Sequence, residues 1–447
     1  MPDRNLYYGG GANASTMTPV TFAVVLVAAI MLATLPRKHA PAPILIAAFL
    51  LPVGQQLMVA GVHFYVVRIL VLIGLGRLTV ARMSSTKPVF PAGFSDIDKA
   101  LCLLTIVEGA ASILREKASG AVVYHIALWV DTFGLYFIMR HLLQESADIL
   151  RLIKMFALVV GVLGVCMLYE NRTRIDLFSY LAGHQIVPWI REGRVRAQAG
   201  FANSITAGCF GATLVPLFWF IWKEREARLL ASIGLAAATV VTITSMASTP
   251  ITGYVAVIIA LCLWPIRKRM RWVRWGVGLV VLALSAVMKA PVWFLLSRIN
   301  IAGGNAYDRA ILIDVTVRHF SDWWLVGTSE NANWGFVTWD ACNQFAAEAL
   351  SGGLAALVVF IVLLRRTFGA IGRCRKTAEG RRDEWLFWSL GAALFAHVIV
   401  FLGVDYFDQT KALWLIFLAM VSSRTLCVGP VATGASYDSA TEWFWIS

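Results

Sequence analysis

The sequence is poor in charged residues. Only 15% of its 447 residues are Asp, Glu, Lys or Arg, whereas about 25% is usual for soluble globular domains. Hydrophobic residues make up 59% of the chain, and the mean hydropathy is +0.71. This balance excludes a soluble multidomain enzyme.

Cysteine is also scarce and carries no recognisable spacing. The seven Cys residues form no CxxC pair and no Cys/His arrangement of the kind that binds zinc. A secreted disulfide scaffold is therefore excluded. Four of them lie inside apolar runs, where they are predicted to be small packing residues: Cys102, Cys166, Cys209 and Cys262.

Long apolar blocks are what the sequence has instead. They are about twenty residues long, which crosses a ~30 Å hydrocarbon layer as a helix, and they lack the alternation of an outer-membrane barrel. We predict an all-α polytopic membrane protein with about 12–13 transmembrane helices, the short 250–265 run being either a span or re-entrant. No signal peptide is predicted, because no basic region and cleavage site accompany the first run. The runs are 17–35, 41–58, 61–81, 97–114, 120–141, 150–169, 199–222, 229–247, 250–265, 275–296, 346–364, 385–403 and 407–423.

Three basic loops predict the orientation. Lys223–Arg228, Arg267–Arg274 and Arg365–Arg382 fall on one side when the spans are counted, and Lys and Arg accumulate in cytoplasmic loops. The same count places the N-terminus outside and the C-terminal tail inside. The predicted divisions are N-terminal helices (1–169), an outer loop (170–198), central helices (199–296), a large outer loop expected to hold the functional site (297–345), and C-terminal helices with a cytoplasmic tail (346–447).

Arginine is in excess, with 29 Arg against ten Lys and a net charge of +13. A GC-rich genome explains this as well as phosphate binding does, although the guanidinium fork suits phosphate. Arginines in both outer loops depart from the positive-inside bias. Three interpretations of these arginines are open: they bind an anionic partner, they contact lipid phosphates, or they pair with acids of the second loop. Those acids are Asp308, Asp314, Asp322 and Glu330.

The second outer loop also contains a helical pattern. In AYDRAILIDVTVRHF, the residues Ile311, Val315 and Phe320 recur on one face. Several tryptophans follow, and amphipathic helices with interfacial Trp tend to lie on the membrane plane. We therefore expect amphipathic helices in this loop.

Four segments resemble the O-antigen ligase and O-antigen polymerase superfamily, bacterial membrane enzymes that transfer lipid-linked glycans. The resemblance covers roughly residues 190–420, and its strength comes from the order, spacing and outer placement of the segments. RVRAQAGF resembles the family's Arg-x-x-x-Gly-Phe stretch, and NAYDRAILIDVTVRHFSDWWLVGTS resembles its loop arginine followed by a Trp-Leu-x-Gly turn, here Trp324-Leu325-Val326-Gly327. The others are DACNQFAAEALSGG from Asp340 and GVDYFDQTKALWLIF from Gly403.

The chain departs from the family at one position. In the ligases His-Asn opens the span after the large loop, whereas this chain has Cys342 before Asn343. A thiol with an ordinary pKa near 8.5 is mostly protonated at pH 7, so it is a poor substitute for imidazole. The departure favours a polymerase of the exopolysaccharide type over a lipid A ligase.

The resemblance implies attack by a sugar hydroxyl on a glycan held on polyprenyl pyrophosphate. Cations stabilise such a leaving group, and the outer loops contain no Asp-x-Asp for Mg²⁺. We therefore expect no metal and no cofactor. Arg196 and Arg309 are the preferred catalytic cations, with Arg191, Arg194 and Arg318 as further substrate-binding residues.

The general base is left open among Asp340, His319 and Glu330. Asp340 lies near Asn343, which is also assigned to the catalytic set, and an N-cap role for Asp340 fits its position equally well. Arg68 is predicted to lie buried in mid-span, where charges are usually functional. Substrate-binding roles are predicted for Arg68 and for Asp405, and Asp405 and Asp408 are acids that could pair with any of these arginines.

The predicted function is an envelope polysaccharide polymerase of the bacterial inner membrane, with its active site facing the periplasm. The expected partners are the polyprenyl-pyrophosphate-linked glycan, the lipid bilayer, a chain-length regulator and a flippase. Nucleic acid is not expected. The alternatives are a ligase acting on a lipid or protein acceptor, a secondary transporter, and a non-catalytic assembly subunit; the absence of paired broken helices argues against the transporter.

Overall fold

The structure is a computed structural model and describes residues 15–59, 62–84, 90, 93–116, 119–298, 306–335, 338 and 340–427. Regular structure in these residues is almost entirely helical, which confirms the all-α class. Two short antiparallel hairpins depart from it. They pair β1 (Gln56–Val59) with β2 (Val62–Tyr65), and β3 (Trp189–Arg191) with β4 (Arg194–Arg196).

Fourteen helices longer than a single turn make up the described fold. They are α1 (Pro19–Thr34), α2 (Pro41–Leu50), α3 (Val66–Met83), α4 (Asp96–Glu116), α5 (Ser119–Leu142), α6 (Ser146–Thr173), α7 (Ser204–Trp222), α8 (Arg228–Thr244), α9 (Ser248–Cys262), α10 (Met270–Val287), α11 (Ala306–Arg318), α12 (Gln344–Thr377), α13 (Arg381–Phe401) and α14 (Asp408–Cys427).

Seven helical segments are long and apolar enough to cross a membrane, which identifies a multi-pass membrane protein. Three further apolar helices, α1, α2 and α9, are shorter. The seven segments are Val122–Leu142, Ser146–Thr173, Ser204–Trp222, Arg225–Thr244, Trp264–Val287, Gln344–Thr377 and Arg381–Phe401.

The predicted helical run 41–58 is wrong in its second half. Helix α2 ends at Leu50, because Pro52 cannot continue the backbone hydrogen bonds and Gly54 adopts a φ of 84°. The chain then turns at Val53 and Gly54, and Val53 N–H donates to the Gly200 carbonyl at 3.1 Å. The β1–β2 hairpin follows, so α3 begins at Val66 instead of near 61.

Capping side chains fix other helix starts. Asn203 Oδ1 accepts a hydrogen bond from Thr206 N–H at 2.9 Å, so α7 begins at Ser204 and not at the predicted 199. Thr18 caps α1 in the same way, accepting from Thr21 N–H at 3.2 Å. Helix α7 is buried along almost its whole length and lies at the centre of the bundle, against α8, α9 and α13.

The three basic loops predicted on one side of the membrane lie together at one end of the bundle, which we call the basic end. Glu384 accepts from Arg267 at 2.7 Å and lies 3.8 Å from Arg375. Arg382 pairs with Glu224 at 2.7 Å. The opposite end, called the loop end, carries the residue 174–203 segment and the described parts of 306–343.

Helix α10 lies outside the packed bundle. None of its residues is buried, although Trp264 in the turn before it stacks on Trp385 at 3.7 Å. The predicted run 275–296 is therefore displaced: α10 ends at Val287, and a 3₁₀ segment follows over Val292–Arg298. This segment packs on α11, with the rings of Phe294 and Tyr307 6.2 Å apart.

The predicted helix in the second loop is present as α11, but its buried face differs from the prediction. Ala310, Leu312 and Thr316 are buried, while Phe320 falls beyond the helix and is 45% exposed. Three of the four buried residues of α11 are small, namely Ala306, Ala310 and Thr316, and they allow the helix to approach the bundle closely.

Candidate functional site

Two of the predicted site residues contact the loop 402–407, between α13 and α14. Asn343 Nδ2 donates to the Leu402 carbonyl at 3.2 Å. The guanidinium of Arg309 lies against Gly403, where a Cβ would stand 3.2 Å from its Nη1. Residues from the second and third motif segments thus converge on the fourth.

Gly200 brings the first motif segment to the same end of the bundle. Its carbonyl accepts from Gln409 Nε2 at 2.9 Å as well as from Val53. The turn before it is held by Glu170, whose carboxylate accepts from Ala199 N–H at 2.8 Å. Ala199 adopts a φ of 51°, and these hydrogen bonds hold the strained turn in place.

The Trp-Leu-Val-Gly turn docks on a kink in α12. Gly353 adopts φ 70° and ψ −165°, a conformation open almost only to glycine, and a Cβ there would stand 2.7 Å from the Leu325 carbonyl oxygen. Leu354 N–H donates to the Trp324 carbonyl at 2.9 Å, and Thr328 N–H donates to the Leu350 carbonyl at 2.8 Å. The second and third motifs therefore form one backbone-to-backbone unit.

The β3–β4 hairpin carries the arginines of the first loop. Arg191 pairs in register with Arg194, and Trp189 with Arg196, so all four side chains project from one face. Arg194 is exposed near the tip, whereas Arg191 and Arg196 are half-buried. The charge of Arg191 acts on both Arg196 and Arg309.

Arg196 and Arg309 form the electrostatic centre. Burial lowers the pKa of Arg196, and the positive charges of Arg191 and Arg309 lower it further. Burial also lowers the pKa of Arg309, with Arg191 adding to the effect and Asp308 opposing it. Arg196 makes a long hydrogen bond from Nε to the Ser245 carbonyl at 3.5 Å.

None of the ion pairs in the described residues involves either of these two arginines. The lowered pKa values mean that the surroundings disfavour both positive charges. An anion placed between them would relieve that cost. The arrangement therefore has the charge and burial of an anion-binding site.

The residues around Asn343 correct one assignment. Asn343 is the N-cap of α12, with Oδ1 accepting from Phe345 N–H at 2.9 Å and from Ala346 N–H at 3.2 Å, so the cap role considered for Asp340 is wrong. Asp340 instead accepts a hydrogen bond from the Cys342 thiol at 3.1 Å. Burial and the charge of Asp340 raise the pKa of Cys342, which keeps it a thiol.

Other predicted residues lie apart from the arginine pair. Arg318 is exposed and pairs with Asp314 at 2.7 Å. The His319 ring stacks on Trp334 with centroids 4.7 Å apart, and its Nδ1 lies 3.0 Å from the Val315 carbonyl oxygen. Glu330 is exposed in the same loop.

Arg68 is not in mid-span, as predicted, but in the first turn of α3, because the hairpin displaces the helix start. Its charge is met by Asp131 at 2.6 Å and by the Tyr65 ring at 5.5 Å. Asp405 is half-buried in the loop 402–407, and its charge acts on Cys342.

Sequence reasoning missed Glu108 and Glu348, two acids on packed faces of α4 and α12. The signal was available, because each lies inside a predicted apolar span, where ionisable residues are expensive. Glu348 is only 5% exposed. Within the described residues, no group of three or more His, Cys, Asp or Glu side chains could hold a metal ion.

These features define a multi-pass helical membrane protein with a half-buried arginine pair at one end of its bundle. The chain matches no family model and no curated protein sequence.

Proposed function

We propose that the chain is an envelope polysaccharide polymerase that transfers a glycan from polyprenyl pyrophosphate to a sugar hydroxyl. The observation that carries this proposal is the convergence of Arg196 and Arg309. They come from segments more than a hundred residues apart, lie near enough for the charge of Arg309 to act on Arg196, and have no acidic partner within ion-pair distance in the described chain. A pyrophosphate supplies the missing negative charge.

In this reaction the acceptor hydroxyl forms a new bond to the anomeric carbon and loses its proton to a base. The bond from that carbon to the phosphate oxygen breaks, and the pyrophosphate leaves with the electron pair. Half-buried guanidinium groups stabilise the developing charge more than exposed ones, because water screens them less. We propose that these arginines do so without a metal ion.

We further propose thirteen membrane crossings, with the loop end facing the periplasm of a bacterial inner membrane. The stretch of residues 41–55 combines the ten-residue helix α2, about 15 Å long at ~1.5 Å per residue, with a bend and a turn over residues 51–54. Its polar backbone is supported where Val53 donates to Gly200.

Two observations support polymerase over the alternatives. A half-buried thiol occupies the position of the ligases' histidine, which argues against a mechanism that depends on that imidazole. The arginine pair lies at a bundle end with the hydrophilic loops, whereas carrier sites are usually near mid-membrane. Both points favour chemistry at the membrane surface over transport across it.

The test is reconstitution of the purified chain in liposomes with a lipid-linked repeat unit. The expected product is a ladder of longer glycans on gel electrophoresis, with release of unloaded polyprenyl pyrophosphate. Movement of the intact unit between leaflets without any longer product would reject the polymerase and support a transporter. Transfer of a finished glycan to a different lipid, without a ladder, would support a ligase.

A further inference from the structure

A cavity of about 380 Å³ lies in the residue 174–203 segment of the loop end, directly after α6. This volume is within the range of small-ligand sites, about 300–1,000 Å³. Most of the residues around it are polar, and we call it the loop cavity. Its polar and aromatic lining residues are Arg174, Asp176, Ser179, Tyr180, His184 and Gln185.

The loop that surrounds the cavity is fixed to the bundle. Thr18 Oγ1, at the cap of α1, donates to the Leu181 carbonyl at 2.9 Å. Gly183 adopts a φ of 74°, and a Cβ there would stand 2.7 Å from Thr18 Cγ2. Ile186 N–H donates to Ser179 Oγ at 2.9 Å, which joins the two ends of the short segment between them. The loop cavity is therefore a built part of the fold.

Asp176 is the buried residue of this lining, at 2% exposed. Its Oδ1 accepts from Phe178 N–H at 2.8 Å, whereas Oδ2 receives no hydrogen bond within the described residues. Burial raises the pKa of Asp176 to about 6, and the hydrogen bond from Phe178 opposes this shift. A buried acceptor without a donor is costly, so a ligand that donates to Oδ2 removes that cost.

The composition of the lining selects the class of ligand. Hydroxyl groups both donate and accept, so a sugar matches a carboxylate beside the donor groups of Arg174, His184 and Gln185. Tyr180 is 78% exposed, and its ring offers a face to the apolar C–H side of a sugar. The charge of Asp176 disfavours a pyrophosphate. A metal ion is disfavoured by the charge of Arg174 and by the single acid of the lining, because such ions need several oxygen ligands.

The end of α6 connects the loop cavity to the arginine hairpin. Asn171 Nδ2 donates to the Val195 carbonyl at 2.8 Å, directly before Arg196 in β4. Glu170 holds the turn that follows this strand, and the charge of Asp176 acts on Glu170. The cavity and the arginine pair therefore share the loop end of the bundle.

We propose that the loop cavity binds an uncharged sugar of the acceptor glycan, with a sugar hydroxyl donating to Asp176 Oδ2 and the sugar ring packed on Tyr180. The acceptor role rests on the polymerase function proposed above. Donor and acceptor then occupy different places, because the pyrophosphate lies at the arginine pair and the uncharged sugar lies in the loop cavity. Binding of the sugar therefore does not require the arginines.

The first experiment measures binding without turnover. The probe is the phosphate-free oligosaccharide released by mild acid from the lipid-linked repeat unit, and saturation-transfer NMR with the purified full chain in detergent gives its Kd. Wild type is expected to bind it. Asp176→Asn is expected to weaken binding about ten- to a hundredfold, because a hydrogen bond to a charged group is lost. The Asn side chain still accepts from Phe178 N–H, but its amide places a donor where Oδ2 stood.

Further variants separate binding from folding. Asp176→Asn removes a buried charge that lacks a donor, so its melting temperature is expected to match or exceed that of wild type. Tyr180→Ala is expected to weaken binding about two- to tenfold, and Tyr180→Phe, which keeps the ring, is expected to bind as wild type does. The matched control is Asp322→Asn, the same chemical change at an exposed position of the second outer loop, expected to leave the Kd unchanged.

The second experiment uses the same oligosaccharide as a soluble acceptor in the elongation assay. Asp176→Asn is expected to raise the KM for this acceptor about tenfold or more, with less than about a threefold change in kcat. Arg309→Lys is expected to lower kcat and to leave the Kd of the oligosaccharide unchanged. A merely structural role of Asp176 would lower kcat and the melting temperature together.

The outcomes are distinct. Failure of wild type to bind the oligosaccharide, while elongation proceeds, rejects the subsite and keeps the polymerase. Equal binding by wild type, Asp176→Asn and Tyr180→Ala rejects the location in the loop cavity. Displacement of the oligosaccharide from wild type by inorganic pyrophosphate would show one shared site and reject a separate subsite. Weakened binding by Asp176→Asn without any elongation by wild type would keep the saccharide site and reject both its acceptor role and the polymerase.

Discussion

Replacing Arg309 with lysine tests the proposed anion site most directly. Lysine keeps the charge but presents a single ammonium group, whereas the guanidinium offers a planar fork that binds two phosphate oxygens at once. Arg309 lies against Gly403 and has no ion-pair partner in the described residues. The hydrogen bond that the lysine variant loses is therefore expected to be one between Arg309 and the ligand. A charge-assisted hydrogen bond contributes about 1.5–3 kcal/mol, which predicts a ten- to hundredfold loss of turnover.

The assay is the rate of glycan elongation by purified variants at matched amounts of folded protein. Arg318→Lys is the matched control on the same helix. It lies nine residues along α11, about half a turn around it at ~100° per residue, and it is exposed and paired with Asp314. We expect this control to keep nearly the wild-type rate.

A double substitution extends the test to Arg196. If both arginines act on one leaving group, Arg196→Lys and Arg309→Lys together are expected to cost less than the sum of the single losses. Wild-type product length and rate in both single variants would refute the site. Strictly additive losses would instead indicate that the two arginines bind different groups.

Four further predictions concern metal, topology, the thiol and the kink. Elongation is expected to continue in excess EDTA, and loss restored by Mg²⁺ would contradict the arginine mechanism. A cysteine placed at Gly380, on the basic end, is expected to resist an impermeant reagent in intact cells, and labelling there would reverse the proposed orientation. Cys342→Ser is expected to change the rate less than threefold, since the protonated thiol is assigned no proton transfer; a Cys342→Ser loss as large as that of Arg309→Lys would contradict this. Gly353→Ala is expected to destabilise the protein by about 2–3 kcal/mol, seen as a lower melting temperature, while Gly372→Ala in the same helix meets nothing within 4 Å and is expected to cause no such drop.

The sequence was sufficient for the helical class and for selecting Arg309 and Asn343, which lie against the loop 402–407. Arg196, Arg309 and Asn343 could be selected because each sits in a short motif whose order along the chain is informative. What brings them together is not local: Gly200, Leu402 and Gly403 contribute backbone atoms that no residue pattern specifies. The contacts between the motifs are therefore seen only in the structure.

The predicted helix boundaries are wrong where one apolar run forms more than one structural element. Pro52 and Gly54 divide the 41–58 run, and the resulting hairpin moves Arg68 from mid-span to a helix start. Glu108 and Glu348 were visible as acids in apolar runs, but the close approach of Glu108 to α12 depends on Gly352, beside the kink. Hydrophobicity predicts that a segment is buried; it does not predict which backbones approach each other closely.

Because α10 lies outside the packed bundle, its tilt is expected to depend on the thickness of the bilayer. The segment Trp264–Val287 has 24 residues, six in a 3₁₀ turn and 18 in α10, and is about 39 Å long at ~2.0 and ~1.5 Å per residue. Met270 at the start of α10 packs on the core, but no residue of α10 is buried, so little packing fixes its tilt. A thinner membrane is matched by tilting such a helix. The 3₁₀ segment after α10 packs on α11, the helix that carries Arg309. A change in the tilt of α10 is therefore expected to move α11. We therefore expect the lipid chain length to change the geometry of the arginine pair.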